Sequence, residues 1–264
     1  MAGFLALTLP LMPVQAVLNR TSSRLARHLP HWYHRHVCRV IGLRIQASGV
    51  LVRDRATLII ANHSSWLDVP LLSAIGPVSF VAKREVASWP FVATLARLQR
   101  TVFVDRERRL SVGESSNEIL ARLEAGDTIV LFAEGTSSDG NRVLPFKTSL
   151  FGAVKPPAGL MAAVKTPAGQ AAHSRRGIVV QTVTIAYARR DGLPLTWAQR
   201  RGLGYYGDIG IGANAWGVLT GGPLQATVTI GPPLALDAFK DRKDMAQATE
   251  AEVRAAHRAA LRGI

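Results

Sequence analysis

The ten residues 61–70, ANHSSWLDVP, decide how this chain is interpreted. They follow the apolar run at 57–60 (TLII) and place a histidine, two serines and an aspartate within six positions. An apolar run that gives way to polar residues before a helical pattern is typical of a strand and the turn after it. Two interpretations are open at this point: a catalytic site, or the capped start of a helix.

The sequence around this stretch alternates β-rich runs with helical patterns from residue 43 onward, which favours an α/β domain. We expect a mixed, largely parallel central sheet flanked by helices. The predicted strands are LRIQAS (43–48), TLIIAN (57–62), VSFVAK (78–83), TVFVD (101–105), TIVLFA (128–133), IVVQTVTIAYA (178–188) and QATVTIG (225–231). The predicted helices start after Ser64 and after Pro145, and span 111–125 and 244–261. Residues 155–176, rich in Pro, Ala and Gly, give only a poor helical pattern.

Polar groups follow four successive predicted strands, where an α/β sheet binds its ligands. The residues at these strand ends are Asn62 and His63; Lys83 and Arg84; Asp105 and Arg106; and Glu134, Gly135 and Thr136. Together they describe a pocket with one imidazole, acidic partners and several cations.

Ser65 and Asp68 form the S-x-x-D pattern of a capping box, in which two side chains satisfy the free N–H groups of a helix start. His63 has no such capping role. An imidazole at a strand-to-helix turn, with a carboxylate nearby to fix its tautomer, has what a general base needs. If the helix starts after Ser64, Asp68 lies in its first turn and can face back toward His63.

Residues 62–68, NHSSWLD, resemble the NHx4D motif of the glycerolipid acyltransferase family, the lysophosphatidic acid acyltransferases and their relatives. Other blocks of the family follow in the expected order: VAKREVASWPFVATLARLQRTVFVDR (81–106), FAEGTSSDG (132–140) and VVQTVTIAY (179–187). The resemblance extends from about residue 29 to residue 233, most of the chain.

The resemblance implies that His63 is the general base that removes a proton from an acceptor hydroxyl as it attacks an acyl thioester. Asp68 would orient the imidazole, no acyl-enzyme would form, and backbone N–H groups at the following helix start would stabilise the oxyanion. The expected substrate-binding residues are Glu134, Gly135 and Thr136 at the acceptor site, and Lys83, Arg106 and Lys147 for an anionic headgroup or the phosphate of the donor arm.

Ser137 departs from the family pattern, because many members that use lysophosphatidic acid have an arginine after EGT. The sequence EGTSSDG (134–140) resembles that of family members linked to lyso-ornithine lipid acylation, although proteins of similar sequence also acylate lysophosphatidate. The acceptor, 1-acylglycerol-3-phosphate or lyso-ornithine lipid, therefore stays open. So does the donor, acyl carrier protein (ACP) or coenzyme A (CoA) thioester. We expect no metal and no organic cofactor.

The formal net charge of +14 and pI near 11.1 require an anionic partner, such as nucleic acid or a membrane. Seven arginines precede the first acidic residue, Asp54, and follow an uncharged segment, 3–18. That segment is short for a span of about 20 residues, and we expect Pro10 and Pro13 to interrupt it.

Residues 24–41 place apolar side chains at helical spacing, with arginines and histidines on the other face. We therefore expect 1–42 to be a membrane-interfacial helical segment at the cytoplasmic face of the inner membrane. The acyltransferase domain would then span 43–264. The alternative is an amphipathic helix packed on the protein's own core.

Two other functions fit parts of the sequence. A serine hydrolase would use Ser64 or Ser65 as its nucleophile, but adjacent residues rarely align with their base and no nucleophile elbow is present. A nucleic-acid-binding module would explain the charge, but the basic residues cluster beside an apolar segment instead of interleaving with aromatics. We therefore expect an anionic membrane surface as partner, and no nucleic acid.

Three smaller features are interpreted as structural. GLGYYG (202–207) matches the dinucleotide pattern but follows no predicted strand, which indicates a loop. The close histidines His31, His34 and His36 lack cysteine or carboxylate companions, so they predict no metal site. Cys38 is the only cysteine, which excludes an intrachain disulfide and favours a reducing compartment.

Overall fold

A mixed nine-stranded sheet forms the centre of the computed structural model, which describes residues 2–21, 24–104, 109–153, 177–207 and 210–263. Its strands are β1 (Leu43–Ser48), β2 (Thr57–Ala61), β3 (Ser79–Lys83), β4 (Val102–Val104), β5 (Thr128–Phe132), β6 (Val179–Arg190), β7 (Leu193–Pro194), β8 (Leu224–Ile230) and β9 (Leu234–Ala235). The main path has the order β1-β8-β6-β2-β5-β3-β4, and the short strands β7 and β9 pair with β6.

Pairing along this main path is parallel except between β6 and β8. The predicted mixed, largely parallel sheet is therefore confirmed. β6 runs beside β2 until Val183 pairs with Ala61, and then continues beyond the end of β2. This overhang places the last residues of β6 alongside the turn that carries His63.

Helices cover both faces of the sheet. They are α1 (Ala2–Arg20), α2 (Arg24–Val40), α3 (Asp68–Ile75), α4 (Val92–Leu98), α5 (Arg109–Glu124), α6 (Trp197–Leu203), α7 (Ile211–Thr220) and α8 (Arg242–Arg262). Short 3₁₀ helices lie at Arg84–Ser88, Thr148–Ala153 and Leu236–Ala238. One apolar core joins α2, α3, α6 and α7 to the sheet, and a second core on the opposite face joins α5 and α8 to it.

All seven predicted strands are found within one or two residues of their expected bounds. The helix expected after Ser64 starts only at Asp68, because residues 66–67 form a turn. The segment after Pro145 is a 3₁₀ helix, Thr148–Ala153, instead of an α-helix. The predicted helices at 111–125 and 244–261 correspond to α5 and α8, while α4, α6 and α7 were not predicted. The region 155–176 lies outside the described residues.

The N-terminal segment packs on the rest of the chain. α1 is continuous through Pro10 and Pro13, so the expected interruption there is wrong. Near its end, α1 is fixed against α4: the side chains of Gln15 and Asn19 each donate a 3.1 Å hydrogen bond to the Leu98 carbonyl oxygen. α2 packs against α3 and β1. Among the described helices, none combines the length and hydropathy that a membrane crossing requires.

Candidate active site

His63 lies just beyond the carboxyl end of β2 and forms a pair with Asp68. Its Nδ1 is 2.8 Å from Oδ2 of Asp68, and its ring stacks on Phe132 at the end of β5 with the ring centroids 4.1 Å apart. The imidazole is 22% exposed, whereas the carboxylate is fully buried. A separation of five residues suits this pair because the chain turns between them before α3 begins.

Four donors surround the carboxylate of Asp68. Its Oδ2 accepts from the backbone N–H groups of Ser64, at 2.8 Å, and Ser65, at 3.0 Å, as well as from His63. Its Oδ1 accepts a 2.6 Å hydrogen bond from the hydroxyl of Tyr187. An ionised carboxylate accepts at both oxygens and donates at neither, so it satisfies all four donors. The network therefore assigns the proton to Nδ1 of His63 and leaves Nε2 as the basic nitrogen.

These contacts correct two sequence expectations. The N–H groups of Ser64 and Ser65 bind Asp68, so they do not serve as free donors for an oxyanion. The capping box is only half formed: Asp68 reaches back to the Ser65 N–H, but the N-cap residue of α3 is Leu67, with no side-chain cap. Asp68 therefore orients the His63 ring and also stabilises the turn between β2 and α3.

Tyr187 was missed by the sequence interpretation. It lies on the part of β6 that overhangs β2, and its side chain faces the same core as α3. Burial raises the pKa of Tyr187 well above its usual range, and the neighbouring charge of Asp68 raises it further. The hydroxyl therefore stays protonated and remains a donor to Asp68.

Two buried side chains fix the backbone on either side of His63. Asn62 extends the sheet beyond β2: its Nδ2 donates to the Ile185 carbonyl at 2.9 Å, and its Oδ1 accepts from the Ile185 N–H at 2.8 Å. Glu134 accepts from the backbone N–H groups of His63 and Leu144, both at 2.8 Å. Burial raises the pKa of Glu134 to about 8, although these two hydrogen bonds act to lower it.

The contacts of Glu134 differ from the substrate-binding role expected for it. The side chain is only 1% exposed, and each oxygen already accepts a hydrogen bond from the backbone. Glu134 therefore holds the backbone of His63 in position through the His63 N–H group.

The loop after β5 and the loop after α6 each donate a backbone hydrogen bond to the turn that carries His63. The N–H of Ser138 donates to the His63 carbonyl, and the N–H of Tyr205 donates to the Ser64 carbonyl, both at 2.8 Å. The hydroxyl of Ser137 donates to the Tyr205 carbonyl, which joins the two loops. Gly204 lies so close to the Ser138 carbonyl that an added Cβ would be 2.9 Å from its oxygen. The glycine-rich stretch is therefore the end of α6 and a packed loop, as the missing strand context predicted.

The remaining predicted binding residues lie along the carboxyl edge of the sheet. Lys83 is exposed at the end of β3, and Thr136 and Lys147 are exposed in the segments after β5. Gly135 is buried in the turn after β5 and has a φ of 72°, which favours glycine. Arg106 lies outside the described residues. Their contacts with substrate stay predictions.

Within the described ranges, no group of three or more His, Cys, Asp or Glu side chains is placed to hold a metal ion. The three close histidines of α2 have other hydrogen-bond partners. His31 pairs with the Ser73 carbonyl, His34 with the Ser73 hydroxyl and His36 with the Trp32 carbonyl.

Residues 42–185 match the family model described as Acyltransferase, and this range contains both members of the His63–Asp68 pair. The chain belongs to the acyltransferase family. The acyltransferase is 43% identical to the lyso-ornithine lipid O-acyltransferase of Brucella abortus, over 99% of this chain and 94% of the relative. It is 40% identical to the enzyme of the same name from Rhizobium meliloti, over 97% of this chain and 84% of the relative.

A solved structure has the same fold as this acyltransferase. It is the 1-acyl-sn-glycerophosphate (LPA) acyltransferase PlsC of Thermotoga maritima, which superposes with a TM-score of 0.57. The match covers 88% of this chain and 78% of the other, at 22% sequence identity.

Proposed function

We propose that this acyltransferase moves a fatty acyl group from an acyl thioester, acyl-ACP or acyl-CoA, to the free hydroxyl of a lyso-lipid. The observation that carries the proposal is the buried Asp68 carboxylate 2.8 Å from Nδ1 of a partly exposed His63. This arrangement leaves Nε2 of the partly exposed His63 ring as the base. General-base catalysis of this kind contributes about 10²- to 10⁴-fold to a rate.

The reaction follows from that geometry. The acceptor hydroxyl attacks the thioester carbonyl carbon while Nε2 of His63 takes its proton. Asp68 stabilises the imidazolium that forms, and the tetrahedral intermediate then expels the thiolate. The proton passes from His63 to the sulfur, so the products are an ester and a free thiol, with no acyl group on the enzyme.

Lyso-ornithine lipid is the acceptor that we propose. The relatives from Brucella abortus and Rhizobium meliloti, which match almost the whole chain, are both named lyso-ornithine lipid O-acyltransferase. Ser137 stands where many members that use lysophosphatidic acid have an arginine, and its hydroxyl donates a hydrogen bond to the Tyr205 carbonyl. A neutral, internally bonded side chain offers a phosphate monoester no positive charge at this position.

We propose further that α1 and α2 bind the cytoplasmic face of an anionic inner membrane. Four large apolar side chains of α1 are exposed, and α2 exposes three more beside its arginines. These residues are Leu5, Leu9, Val14 and Val17 in α1, and Leu25, Trp32 and Val40 in α2. Exposed apolar side chains on basic helices favour insertion at an anionic lipid interface. The inner stripe of α2, including Val37 and Cys38, is buried against the core.

An acceptor and donor panel tests the enzymatic proposal. Purified enzyme in detergent micelles is given lyso-ornithine lipid or 1-acylglycerol-3-phosphate, each with acyl-ACP and acyl-CoA. We expect the higher kcat/KM with lyso-ornithine lipid, and loss of transfer in His63→Ala with an unchanged circular dichroism spectrum. His36→Ala, which removes an imidazole from α2, is the matched control and should retain transfer.

The possible results separate the parts of the proposal. Full activity of His63→Ala would overturn the mechanism, whatever the acceptor. Preference for 1-acylglycerol-3-phosphate would overturn the acceptor assignment and leave the general-base mechanism standing. For the membrane proposal, Leu9→Glu should reduce cosedimentation with anionic vesicles, and an unchanged sedimented fraction would contradict it.

A further inference from the structure

A cavity of about 200 Å³ lies at the amino-terminal edge of the sheet, between α2 and the loops that precede β2, β3 and β5. Thr128, which lines the cavity, pairs with Thr57 at the start of β2. His63 follows Thr57 by six residues along β2 and the turn after it. At about 3.3 Å per residue, Thr57 and His63 are about 20 Å apart along the strand direction. The cavity is therefore separate from the site of acyl transfer.

The walls of this cavity carry an excess of positive charge. Arg27, Arg53 and Arg100 line it, together with the buried carboxylate of Asp127. Asp127 pairs with Arg27 at 2.9 Å, with Arg100 at 2.8 Å and with Arg122 at 3.0 Å. One carboxylate thus faces three guanidinium groups before Arg53 is counted, and the guanidinium groups of Arg27 and Arg100 are held in place by it.

Two further basic side chains line the cavity and are available to bind a ligand. Both Arg53 and His28 line the cavity and are exposed, and among the described residues neither side chain has a hydrogen-bond or ion-pair partner. His31 lines it as well, with one ring nitrogen bound to the Ser73 carbonyl. Burial lowers the pKa of His31, and the charges of Arg35 and Arg53 lower it further. Arg53 therefore adds a positive charge, unpaired among the described residues, to a concave surface, which is the electrostatic condition for binding an anion.

We propose that this cavity is a second binding site, for a phosphate-type anion, with Arg53 and His28 as its direct donors. Guanidinium groups bind phosphate oxygens through paired, charge-assisted hydrogen bonds. One bound water needs only about 10 to 15 Å³ of cavity volume. The cavity of about 200 Å³ therefore has room for a phosphate group. The proposal goes beyond acyl transfer and does not depend on the identity of the acceptor lipid.

Two sources could supply this anion: free inorganic phosphate or its soluble esters, and the phosphate of a membrane lipid headgroup. Leu51, Val52 and Val78 form apolar walls beside the cations, and these walls suit the glycerol carbons of a headgroup. The chemistry recognised at Arg53 and His28 is the same in both cases.

Nuclear magnetic resonance of the histidine ring protons tests the site on the full-length enzyme in micelles. Inorganic phosphate is titrated against sodium chloride at matched ionic strength. We expect saturable shifts at His28 and His31, and about tenfold weaker binding in Arg53→Ala, the loss of one charge-assisted contact. Arg55→Ala is the matched control, since Arg55 lies in the same loop, is 65% exposed and does not line the cavity.

A second measurement distinguishes the sources. Cosedimentation is compared for vesicles of phosphatidylcholine with and without phosphatidylglycerol. If Arg53→Ala weakens the phosphate titration and also the preference for phosphatidylglycerol, the site takes a lipid headgroup; if it weakens only the titration, the site takes soluble phosphate. The absence of saturable shifts with phosphate, or equal losses in Arg53→Ala and Arg55→Ala, would overturn the proposal.

Discussion

The hydroxyl of Tyr187 donates a 2.6 Å hydrogen bond to Oδ1 of Asp68, a residue 119 positions earlier in the chain. Tyr187 belongs to β6, and Asp68 is the first residue of α3. The carboxylate that orients His63 is thus tied to the central sheet and not only to its own turn. We infer that Tyr187 is a positioning residue, which acts on the reaction through Asp68.

Replacing Tyr187 with phenylalanine removes this donor and keeps the ring in the core. Because a hydrogen bond to a charged group contributes about 1.5 to 3 kcal/mol, we expect kcat to fall about tenfold or more, with little change in KM. Steady-state kinetics of Tyr187→Phe and the parent measures this split between kcat and KM.

A matched control is Tyr205→Phe. Tyr205 supports the same turn through its backbone N–H and carbonyl, which the substitution leaves unchanged. A kcat that is the same in Tyr187→Phe, Tyr205→Phe and the parent would show that Tyr187 acts only in packing.

Ser64 and Ser65 are expected to be dispensable for transfer. Both side chains are buried, and their hydrogen bonds to Asp68 come from backbone N–H groups that alanine also provides. The double variant Ser64→Ala/Ser65→Ala should retain acyl transfer within about an order of magnitude, because the general base is intact. Complete loss of transfer in a folded double variant would favour a serine nucleophile instead.

Glu134 should matter for the stability of the site. Glu134→Ala leaves the buried N–H groups of His63 and Leu144 without acceptors, which we expect to lower the free energy of unfolding by about 2 to 5 kcal/mol. Glu134→Gln retains one acceptor oxygen, so its loss should be smaller. Urea unfolding of both variants measures the difference, and equal stabilities of the alanine variant and the parent would contradict the assigned role.

The strands and the His63–Asp68 pair could be predicted from the sequence because both depend on local patterns. Continuous runs of β-branched and apolar residues identified β2, β5 and β6. The imidazole and carboxylate of the pair lie within one strand-to-helix turn, so their spacing alone places them near each other.

Contacts distant in sequence could not be predicted in this way. Tyr187 reaches Asp68 only because β6 overhangs β2, and nothing in the pattern of β6 fixes the register between them. α6 and α7 are short and contain glycines, which weakens their helical signal. They are held by tertiary bonds instead: Asn214 accepts from the Trp66 ring N–H at 3.1 Å and donates to the carbonyls of Gly202 and Gly204.

His257, on α8, should make the fold sensitive to acid. The side chain is buried, and its burial together with the charge of Arg200 lowers the pKa of His257 from 6.5 to about 4. Below pH 6.5 the unfolded chain binds a proton that the folded chain does not, so stability falls as the pH drops through this window.

The loss should approach about 3 kcal/mol near pH 4, because one pKa unit corresponds to about 1.4 kcal/mol. Urea unfolding at a series of pH values measures this dependence. We expect the curve of His257→Gln to be flatter than that of the parent, whatever the absolute stability of the variant. Parallel curves for His257→Gln and the parent would show that the imidazole takes up its proton equally in the folded and unfolded states.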